Sequence, residues 1–362
     1  MKRFWQAHQK LHIWLVVDLL LLGAYFLFRG QRAWMNAIQD NVTGPLRQAL
    51  GRLCYRVDFS VMELSIVLAI LAAVAYIFWS VWAVVKAKGR RRQRAYRAVL
   101  GAVCTCLSLY AVFCLLWGVN FWTDSFQEQS GIYAEPVAVE DLLMVTLYFA
   151  QNLSEAADDV KRDENGVFAV PREEILAYAP QAYDGVEEML PFLEFDDPGV
   201  KPMFFSRFFS RMDFTGFYCS YTGESNVNVD SPASMLASTV CHELGHQRGF
   251  ASEQECNFLA VLAATNSDHP AYVYSGWLKG YIQLSNALYR VNQDIYWAIR
   301  EALPETVRAD LSYNTAYWKQ FENTVVQKVS TTAYDGMLKA YGDARGIQSY
   351  GTVVDMLVAY YK

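Results

Sequence analysis

The chain has 362 residues, 53% of them hydrophobic, and a mean hydropathy of +0.08. This composition is too apolar for an ordinary soluble enzyme and too charged for a protein that lies wholly within a membrane. The charge is also divided, because residues 1–122 carry a net charge of +11 and the remaining residues carry −17, which gives −6 in total. These values predict a basic membrane domain over residues 1–123 and an acidic soluble domain over residues 124–362.

Three segments are long and apolar enough to cross a bilayer as helices, which requires about 20 residues. They cover residues 11–28, 64–85 and 98–122. The first is the shortest and contains Asp18, which is expected either to pair with another group in the membrane or to lie near the cytoplasmic end of its span. No small-residue cleavage site follows this segment, so we do not expect a cleaved signal peptide.

Lysine and arginine predict the orientation of the spans. Loop 86–97 has seven basic residues and no acidic residue, which favours the cytoplasmic side of the membrane. The N-terminus is then cytoplasmic and the soluble domain extracytoplasmic, although loop 29–60 would lie outside with five Arg. The basic loop could bind nucleic acid or anionic lipid, but its position between two spans favours a stop-transfer role, and we expect no nucleic-acid partner.

The soluble domain is expected to be mainly α. Residues 139–160 and 171–190 have helical apolar periodicity, with Pro171 in a first turn. Residues 196–202 are typical of a turn. The alternating sequence SNVNVD (residues 225–230) predicts a small sheet. A further helix is expected to begin near Pro232, and helical patterns continue through residues 253–264 and from residue 271 onward.

The sequence CHELGH over residues 241–246 predicts a metal site. His242 and His246 are four residues apart, so that on a helix their imidazoles lie on one face and can bind one zinc ion. Glu243 is placed to accept a proton from a water molecule that the metal activates. The pattern H-E-x-x-H is typical of zinc metallopeptidases.

A third zinc ligand is expected shortly after the histidines. Gly249 fits the pattern in which a third His follows three residues later, but Ser252 occupies that His position. The other arrangement takes Glu253 as the ligand and Asn257 as a brace for a ligating His. Glu255 is the alternative ligand, yet Ser252 and Glu255 also have the spacing of a helix-capping box.

Further residues are weaker candidates. Cys256 is expected to fill a core position, and His269 to be a ligand, an oxyanion-stabilising residue or a surface residue. The stretch TGESNVN (222–228), with Asn226 and Asn228, is either an edge strand that pairs with a peptide substrate or a plain turn and strand. Arg207 either binds a substrate carboxylate or belongs to a solvated helix face. The candidates for stabilising an oxyanion are Tyr218, Tyr272 and Tyr274.

Several stretches resemble an uncharacterised bacterial family whose members have three N-terminal spans and an extracytoplasmic zincin-like domain of the gluzincin type. The resemblance is carried by KPMFFSRFFS, FTGFYCSYTGESNVNVD, TVCHELGHQRGFASEQECNFLAVLA and YDGMLKAYG…SYGTVVDMLVAYY. Members of that family usually have Ala where this chain has Gly245 and Cys256. The resemblance implies a mostly helical α+β peptidase domain with a small sheet.

Together these patterns predict a membrane-anchored, zinc-dependent metallopeptidase that binds one zinc ion and hydrolyses a peptide or protein. The alternative is a catalytically silent sensor or assembly protein of the cell envelope that keeps the same fold. An intact Glu243 favours the enzyme, because a pure binding protein has no need of a base at that position. A channel or transporter is disfavoured because the sequence predicts only three spans and no paired charges within them.

Overall fold

The structure of the protein is a computed structural model that describes residues 8–322, 324–340 and 350–362. It divides into two compact units. The first holds the chain up to Leu50, Val61–Thr123 and Ser220–Thr222, and the second holds Gly51–Ser60, Asp124–Cys219 and Gly223–Lys362. The chain passes from the first unit to the second after Thr123, and residues 51–60 are part of the second unit.

Most of the first unit is helical. Its helices are α1 (Gln9–Phe28), α2 (Arg32–Ile38), a π turn (Gln39–Thr43), α3 (Gly44–Cys54, which continues into the second unit), α4 (Val61–Lys86) and α5 (Arg91–Leu116). Helices α1, α4 and α5 are long and apolar enough to cross a membrane, which confirms the prediction of three such helices. The third begins earlier than predicted, at Arg91, and a 3-10 turn over Gly118–Trp122 follows it.

Helices α1 and α5 are joined by a polar contact. Asp18 is only 4% exposed and accepts hydrogen bonds from the Ser108 hydroxyl at 2.9 and 3.0 Å. The same hydroxyl oxygen accepts a hydrogen bond from the Trp14 indole at 2.7 Å. The acidic residue in the first span is therefore paired within the helix bundle, as a buried polar group must be. Lys2 and Arg3, which contributed to the predicted orientation, lie outside the described residues.

The second unit is built from helices around one apolar core. It contains α6 (Phe126–Ser130), α7 (Val139–Ala156), α8 (Arg172–Ala177), α9 (Asp184–Glu187), α10 (Ser206–Arg211), α11 (Leu236–Arg248), α12 (Glu253–Thr265), α13 (Pro270–Val291), α14 (Gln293–Ala302), α15 (Glu305–Lys319), α16 (Val325–Ala340) and α17 (Tyr350–Tyr361). Helices α7, α11, α12 and α13 pack together at its centre. Fully buried rings such as Phe149, Phe258 and Tyr272 fill the space between them, so these four helices form a rigid support.

One predicted helix is broken in the structure. Residues 171–190 form α8, a 3-10 turn over Ala179–Gln181 and then α9, with Pro171 at the N-cap of α8 instead of in its first turn. Pro180 explains the break, because proline lacks the backbone N–H that a continuous helix needs and clashes with the preceding turn. The prediction of a single helix here was wrong.

A small mixed sheet lies in the same unit. Its strands are β1 (Lys201–Pro202), β2 (Gly216–Cys219) and β3 (Glu224–Val227), in the order β1-β3-β2. Strand β3 is parallel to β1 and antiparallel to β2, with Tyr218 opposite Ser225. Because β3 is paired on both sides, the stretch 222–228 is a turn and a central strand. The interpretation of this stretch as an edge strand was wrong, and β2 is an edge strand of the sheet.

A buried lysine holds residues 51–60 to this sheet. The Lys201 ammonium is 3% exposed, donates to the carbonyl oxygens of Cys54 and Phe59 at 2.8 Å each, and pairs with Glu224 at 2.6 Å. All three hydrogens of the ammonium thus have acceptors, which offsets the cost of burying the charge. The sequence pattern had indicated only a turn at Lys201.

Candidate metal centre

The two histidines lie on a helix whose opposite face is buried. Val240, Cys241 and Leu244 of α11 are fully buried in the core, which fixes the orientation of the helix. Helix α11 ends at Arg248 and is capped by Gly249, whose φ of 109° is a left-handed conformation that glycine adopts without a steric penalty. The chain then turns back, and the Ser252 hydroxyl caps α12 by accepting from the Glu255 N–H. This turn places Glu253, the first residue of α12, beside the two histidines.

Three side chains converge at this place. The Nε2 atoms of His242 and His246 are 3.2 Å apart. His242 Nε2 is 3.2 Å from one carboxylate oxygen of Glu253, and His246 Nε2 is 3.4 Å from the other. A tetrahedral zinc ion with bonds of about 2.0–2.1 Å separates its ligands by about 3.3 Å, so the spacing of the two nitrogens suits such an ion. The group His242, His246 and Glu253 is therefore a candidate site for one metal ion.

His246 is oriented by a backbone carbonyl. Its Nδ1 lies 2.7 Å from the carbonyl oxygen of Phe250, which can only accept, so Nδ1 carries a proton and donates it. With Nδ1–H committed in this way, Nε2 is the atom that faces Glu253 and can bind a metal. Asn257 was predicted as the brace, but among the described residues its side chain makes no hydrogen bond with either histidine. That brace is supplied by Phe250, at the turn made by Gly249.

Burial and the neighbouring side chains together set the protonation of the metal-free group. It lowers the pKa of His242 to about 4, against the opposing effect of Glu253, so this imidazole is neutral at pH 7. Burial alone would raise the pKa of Glu253, but the two histidines hold it well below its ordinary value. For His246 the effect of burial is outweighed by Cys256 and Glu253, which raise its pKa. A metal ion that binds Nε2 of His246 would have to displace the proton that the charged imidazole carries on that atom, as is usual for metal sites.

Glu255, the alternative ligand, is directed elsewhere. Its carboxylate accepts from the backbone N–H of Phe126 at 3.1 Å and of Gln127 at 3.3 Å. These are the first two residues of α6, so Glu255 satisfies free N–H groups at the start of a helix. It does not belong to the group of side chains that converges on the histidines.

Glu243 lies beneath the edge strand β2. A Cβ atom at Gly216 would come within 2.3 Å of Glu243 Oε1, so only glycine leaves room for this carboxylate. The carboxylate accepts from the backbone N–H of Tyr218, and Oε2 is buried without a hydrogen-bond partner in the described part of the chain. Burial raises the pKa of Glu243 to about 8, and the charge of Glu253 adds to the rise. The carboxyl group is therefore largely protonated at pH 7 in the metal-free protein.

Two residues from distant helices complete the surroundings. Tyr334 of α16 donates its hydroxyl hydrogen to Glu253 Oε1, and its ring packs edge-on against Phe214 at 5.4 Å. Lys279 of α13 carries a charge that acts on both Glu253 and Glu243. Burial lowers the pKa of Lys279 to about 8, although the two carboxylates oppose that shift. Neither residue was predicted, since nothing in the local sequence marks a Tyr or Lys that reaches a site many residues away.

Comparison with known sequences identifies the family of the chain. A profile of DUF3810, described as a protein of unknown function, matches residues 41–358. The chain belongs to the DUF3810 family. A search of curated proteins and a search of solved structures found no match. The match spans both helices of the candidate metal centre, and the family description carries no activity.

The other residues predicted to bind substrate have structural partners in this DUF3810 protein. Asn226 and Asn228 are fully buried, and the Asn228 amide donates to the Ser210 hydroxyl at 2.8 Å. Arg207 pairs with Asp230 at 3.1 Å, so its guanidinium is engaged on the protein. Of these predicted substrate-binding residues, Tyr218 alone lies beside the candidate centre. Its backbone N–H, and not its side chain, contacts Glu243.

The remaining candidates for an oxyanion-stabilising group also lie elsewhere. Tyr272 is fully buried and donates to the carbonyl of Ile175 at 2.8 Å, and the Tyr274 hydroxyl donates to Asp310. His269 caps α13, because its Nδ1 accepts from the Ala271 N–H at 3.2 Å. Cys256 is fully buried, as predicted, with Sγ 3.3 Å from His246 Nδ1. Burial raises the pKa of this thiol to about 11, so it is neutral at pH 7.

Proposed function

We propose that this protein is a membrane-anchored, zinc-dependent metallopeptidase with a zincin-like catalytic domain. The observation that carries the proposal is the convergence of His242, His246 and Glu253 beside a buried Glu243. Two imidazole nitrogens and one carboxylate form a donor set typical of catalytic zinc, which keeps a fourth position open. A site that served only to hold a metal would not need a buried base with an unsatisfied oxygen next to it.

Each side chain has a distinct task in this proposal. A zinc ion, when bound, supplies Lewis acidity that activates water and polarises a carbonyl group. Glu243, in its ionised form, takes the proton of the attacking water and passes it to the leaving amine. Lys279 offsets part of the negative charge of Glu243 and Glu253. Phe250 keeps His246 in the tautomer that presents Nε2.

The edge strand β2 supports a peptide as the substrate class. It lies directly over Glu243 and pairs with β3 on one side only among the described residues. An extended peptide can add to such an edge through its backbone, independently of most of its side chains. Phe217 of β2 is 39% exposed and offers an apolar contact for one substrate side chain.

The orientation of the protein follows from its basic residues. The segment that links α4 and α5 is rich in Lys and Arg, and such segments are retained in the cytoplasm. With three spans, the second unit is then extracytoplasmic, and the enzyme acts on substrates outside the plasma membrane. Cysteine substitution at Gln129 and at Lys88, followed by labelling of intact cells with an impermeant maleimide, tests this. We expect labelling at position 129 only, and the reverse pattern would invert the topology.

The activity is testable with the full-length protein in detergent. Wild type and Glu243→Gln are loaded with zinc, and cleavage of a library of proteome-derived peptides is followed by mass spectrometry. Wild type should bind about one zinc ion per chain and cleave a subset of peptides in a chelator-sensitive manner. Glu243→Gln should keep the zinc and lose at least about 100-fold in rate, the contribution typical of a general base.

The possible results separate the two functions. Unchanged cleavage by Glu243→Gln would refute the proposed mechanism, and a wild type without zinc would refute the metal site. Zinc binding without cleavage of any peptide would favour the non-enzymatic sensor or assembly protein. The peptides that are cut would also define the residue preference beside the scissile bond.

A further inference from the structure

A second candidate site lies among the three apolar helices of the first unit, and none of its lining residues belongs to the candidate metal centre. A cavity of about 250 Å³ is lined by residues of α1, α4 and α5, among them Trp14, Trp79, Ser80, Arg94 and Arg97. The residues come from the start of α1, the end of α4 and the start of α5, so the cavity opens at the ends of the helices that the basic segment 86–97 joins.

The lining of the cavity is basic and incompletely paired. Arg94 and Arg97 are three residues apart on α5, on the same face, and no lining residue is acidic. Within the described residues neither guanidinium forms an ion pair, and residues 1–7 contain no Asp or Glu. Ser80 Oγ, also in the lining, is buried without a hydrogen-bond partner in the part of the chain that is described. Within the described part of the chain, the cavity therefore offers donors that can bind an anion.

The shape of the cavity suits an amphipathic ligand. It extends along α5 from Arg94 to Thr105, eleven residues, or about 16 Å at 1.5 Å per residue. This is close to half of a hydrocarbon core of about 30 Å, the depth of one leaflet. Gly101 and Tyr76 line the deeper part, where the Tyr76 hydroxyl packs against Gly101, and Trp14 and Trp79 supply flat apolar walls of the kind enriched at membrane interfaces.

From this arrangement we infer that the cavity is a binding site for an anionic phospholipid. The phosphodiester lies between Arg94 and Arg97. Their guanidinium groups bind it through paired, charge-assisted hydrogen bonds. The Ser80 hydroxyl donates to the head group, and one acyl chain follows the apolar groove toward Thr105. The bilayer that holds the spans supplies the ligand, and basic pockets between membrane helices are known to favour such head groups.

The test measures lipid retention by the full-length protein. The protein is exchanged into detergent with equal amounts of phosphatidylglycerol and phosphatidylcholine of identical acyl chains, and bound lipid is counted by native mass spectrometry. Wild type should retain about 5-fold or more phosphatidylglycerol over phosphatidylcholine, which corresponds to about 1 kcal/mol. Arg94→Gln combined with Arg97→Gln should abolish this preference.

The matched control is Arg91→Gln combined with Arg92→Gln, which removes the same charge from the same helix at residues that do not line the cavity. It should keep the preference. Ala83→Phe fills part of the cavity at constant charge and should reduce retention of phosphatidylglycerol. Equal losses in both arginine pairs would show a diffuse attraction and overturn the site, as would a wild type without preference. Displacement of the lipid by millimolar inorganic phosphate would assign the site to free phosphate instead.

Discussion

The Oε2 atom of Glu255 lies 3.1 Å from the backbone nitrogen of Phe126 and accepts its hydrogen bond. This contact gives the two carboxylates at the start of α12 different tasks. Glu253 faces the histidines, whereas Glu255 binds the free N–H groups at the start of α6. The two residues are only two positions apart, so their separation follows from the helix, which directs such neighbours to different sides.

The first prediction concerns these two carboxylates. Glu253→Gln should lower zinc affinity by more than about 100-fold, which exceeds the usual effect of losing a group that merely supports a ligand. Glu255→Gln should retain the metal and lower the free energy of unfolding by about 1 kcal/mol, because it weakens a charged cap. Metal content after dialysis and thermal unfolding measure the two effects. Loss of zinc only in Glu255→Gln would reverse the assignment.

A second prediction concerns the space above Glu243. Gly216→Ala places a methyl group against the Glu243 carboxylate, where a Cβ would lie 2.3 Å from Oε1. Glu243 must then move, so peptide cleavage should fall at least about 10-fold while zinc stays bound, since a displaced base loses its alignment. Gly336→Ala is the control, because a Cβ there meets nothing within 4 Å. Equal activity of the two variants would show that Glu243 tolerates the displacement.

Tyr334 provides a third prediction. Its hydroxyl donates to Glu253, so Tyr334→Phe should weaken zinc binding by about 10-fold, the effect expected for a group that orients a ligand. Tyr313→Phe, which changes an exposed tyrosine of α15, is the control and should bind zinc normally. Unchanged zinc affinity with a lower kcat would instead indicate that the Tyr334 hydroxyl acts on the substrate.

Local patterns predicted most of what lies near them in the chain. Uninterrupted apolar runs predicted the three long helices, because length and hydropathy alone decide whether a segment can span a membrane. The spacing of His242 and His246 placed both rings on one helix face, and the cap at Ser252 located the start of α12.

Contacts between distant residues were not predictable in this way. Tyr334 and Glu253 are 81 positions apart, and Lys201 reaches the carbonyl of Cys54 across 147 positions. No periodicity connects such pairs, since tertiary packing alone brings them together. The brace at His246 was missed for a different reason. A backbone carbonyl supplies it, and every residue has one, so the identity of Phe250 gave no signal.

A fourth prediction follows from the pairing of Arg207. Burial would raise the pKa of Asp230, but hydrogen bonds from Tyr317 and Arg207 outweigh it and lower the pKa below its ordinary value. Ionised Asp230 therefore stabilises the fold at pH values above the pKa that Asp230 has in the unfolded chain. This stabilisation is lost as the pH falls through the lower pKa that Asp230 has in the folded protein. Asp230→Asn should cost about 1 kcal/mol at pH 7, since the ion pair is half-exposed. In thermal unfolding, the difference from wild type should disappear in acid, and a difference independent of pH would contradict this.

The last prediction couples two positions that face each other beneath the metal centre. A Cβ at Gly245 would lie 3.3 Å from Cys256 Sγ and 3.2 Å from the Tyr183 hydroxyl, which is itself fixed by a hydrogen bond to the Cys241 carbonyl. Alanine favours a helix over glycine by about 1 kcal/mol, but here the added methyl group is crowded. Gly245→Ala alone should therefore gain less than that amount.

Cys256→Ala removes the sulfur and makes room on one side of this contact. In the double variant, Gly245→Ala should gain more stability than it does alone, with a coupling free energy of about 0.5–1 kcal/mol, as is typical of residues in contact. Thermal unfolding of wild type, the two single variants and the double variant measures this coupling. Zinc content should stay near one ion in all four proteins, because Cys256 Sγ contacts Nδ1 of His246 and not the metal-facing Nε2. Strictly additive stabilities would show that the methyl group is accommodated by Tyr183, and loss of zinc in Cys256→Ala would make the thiol a ligand.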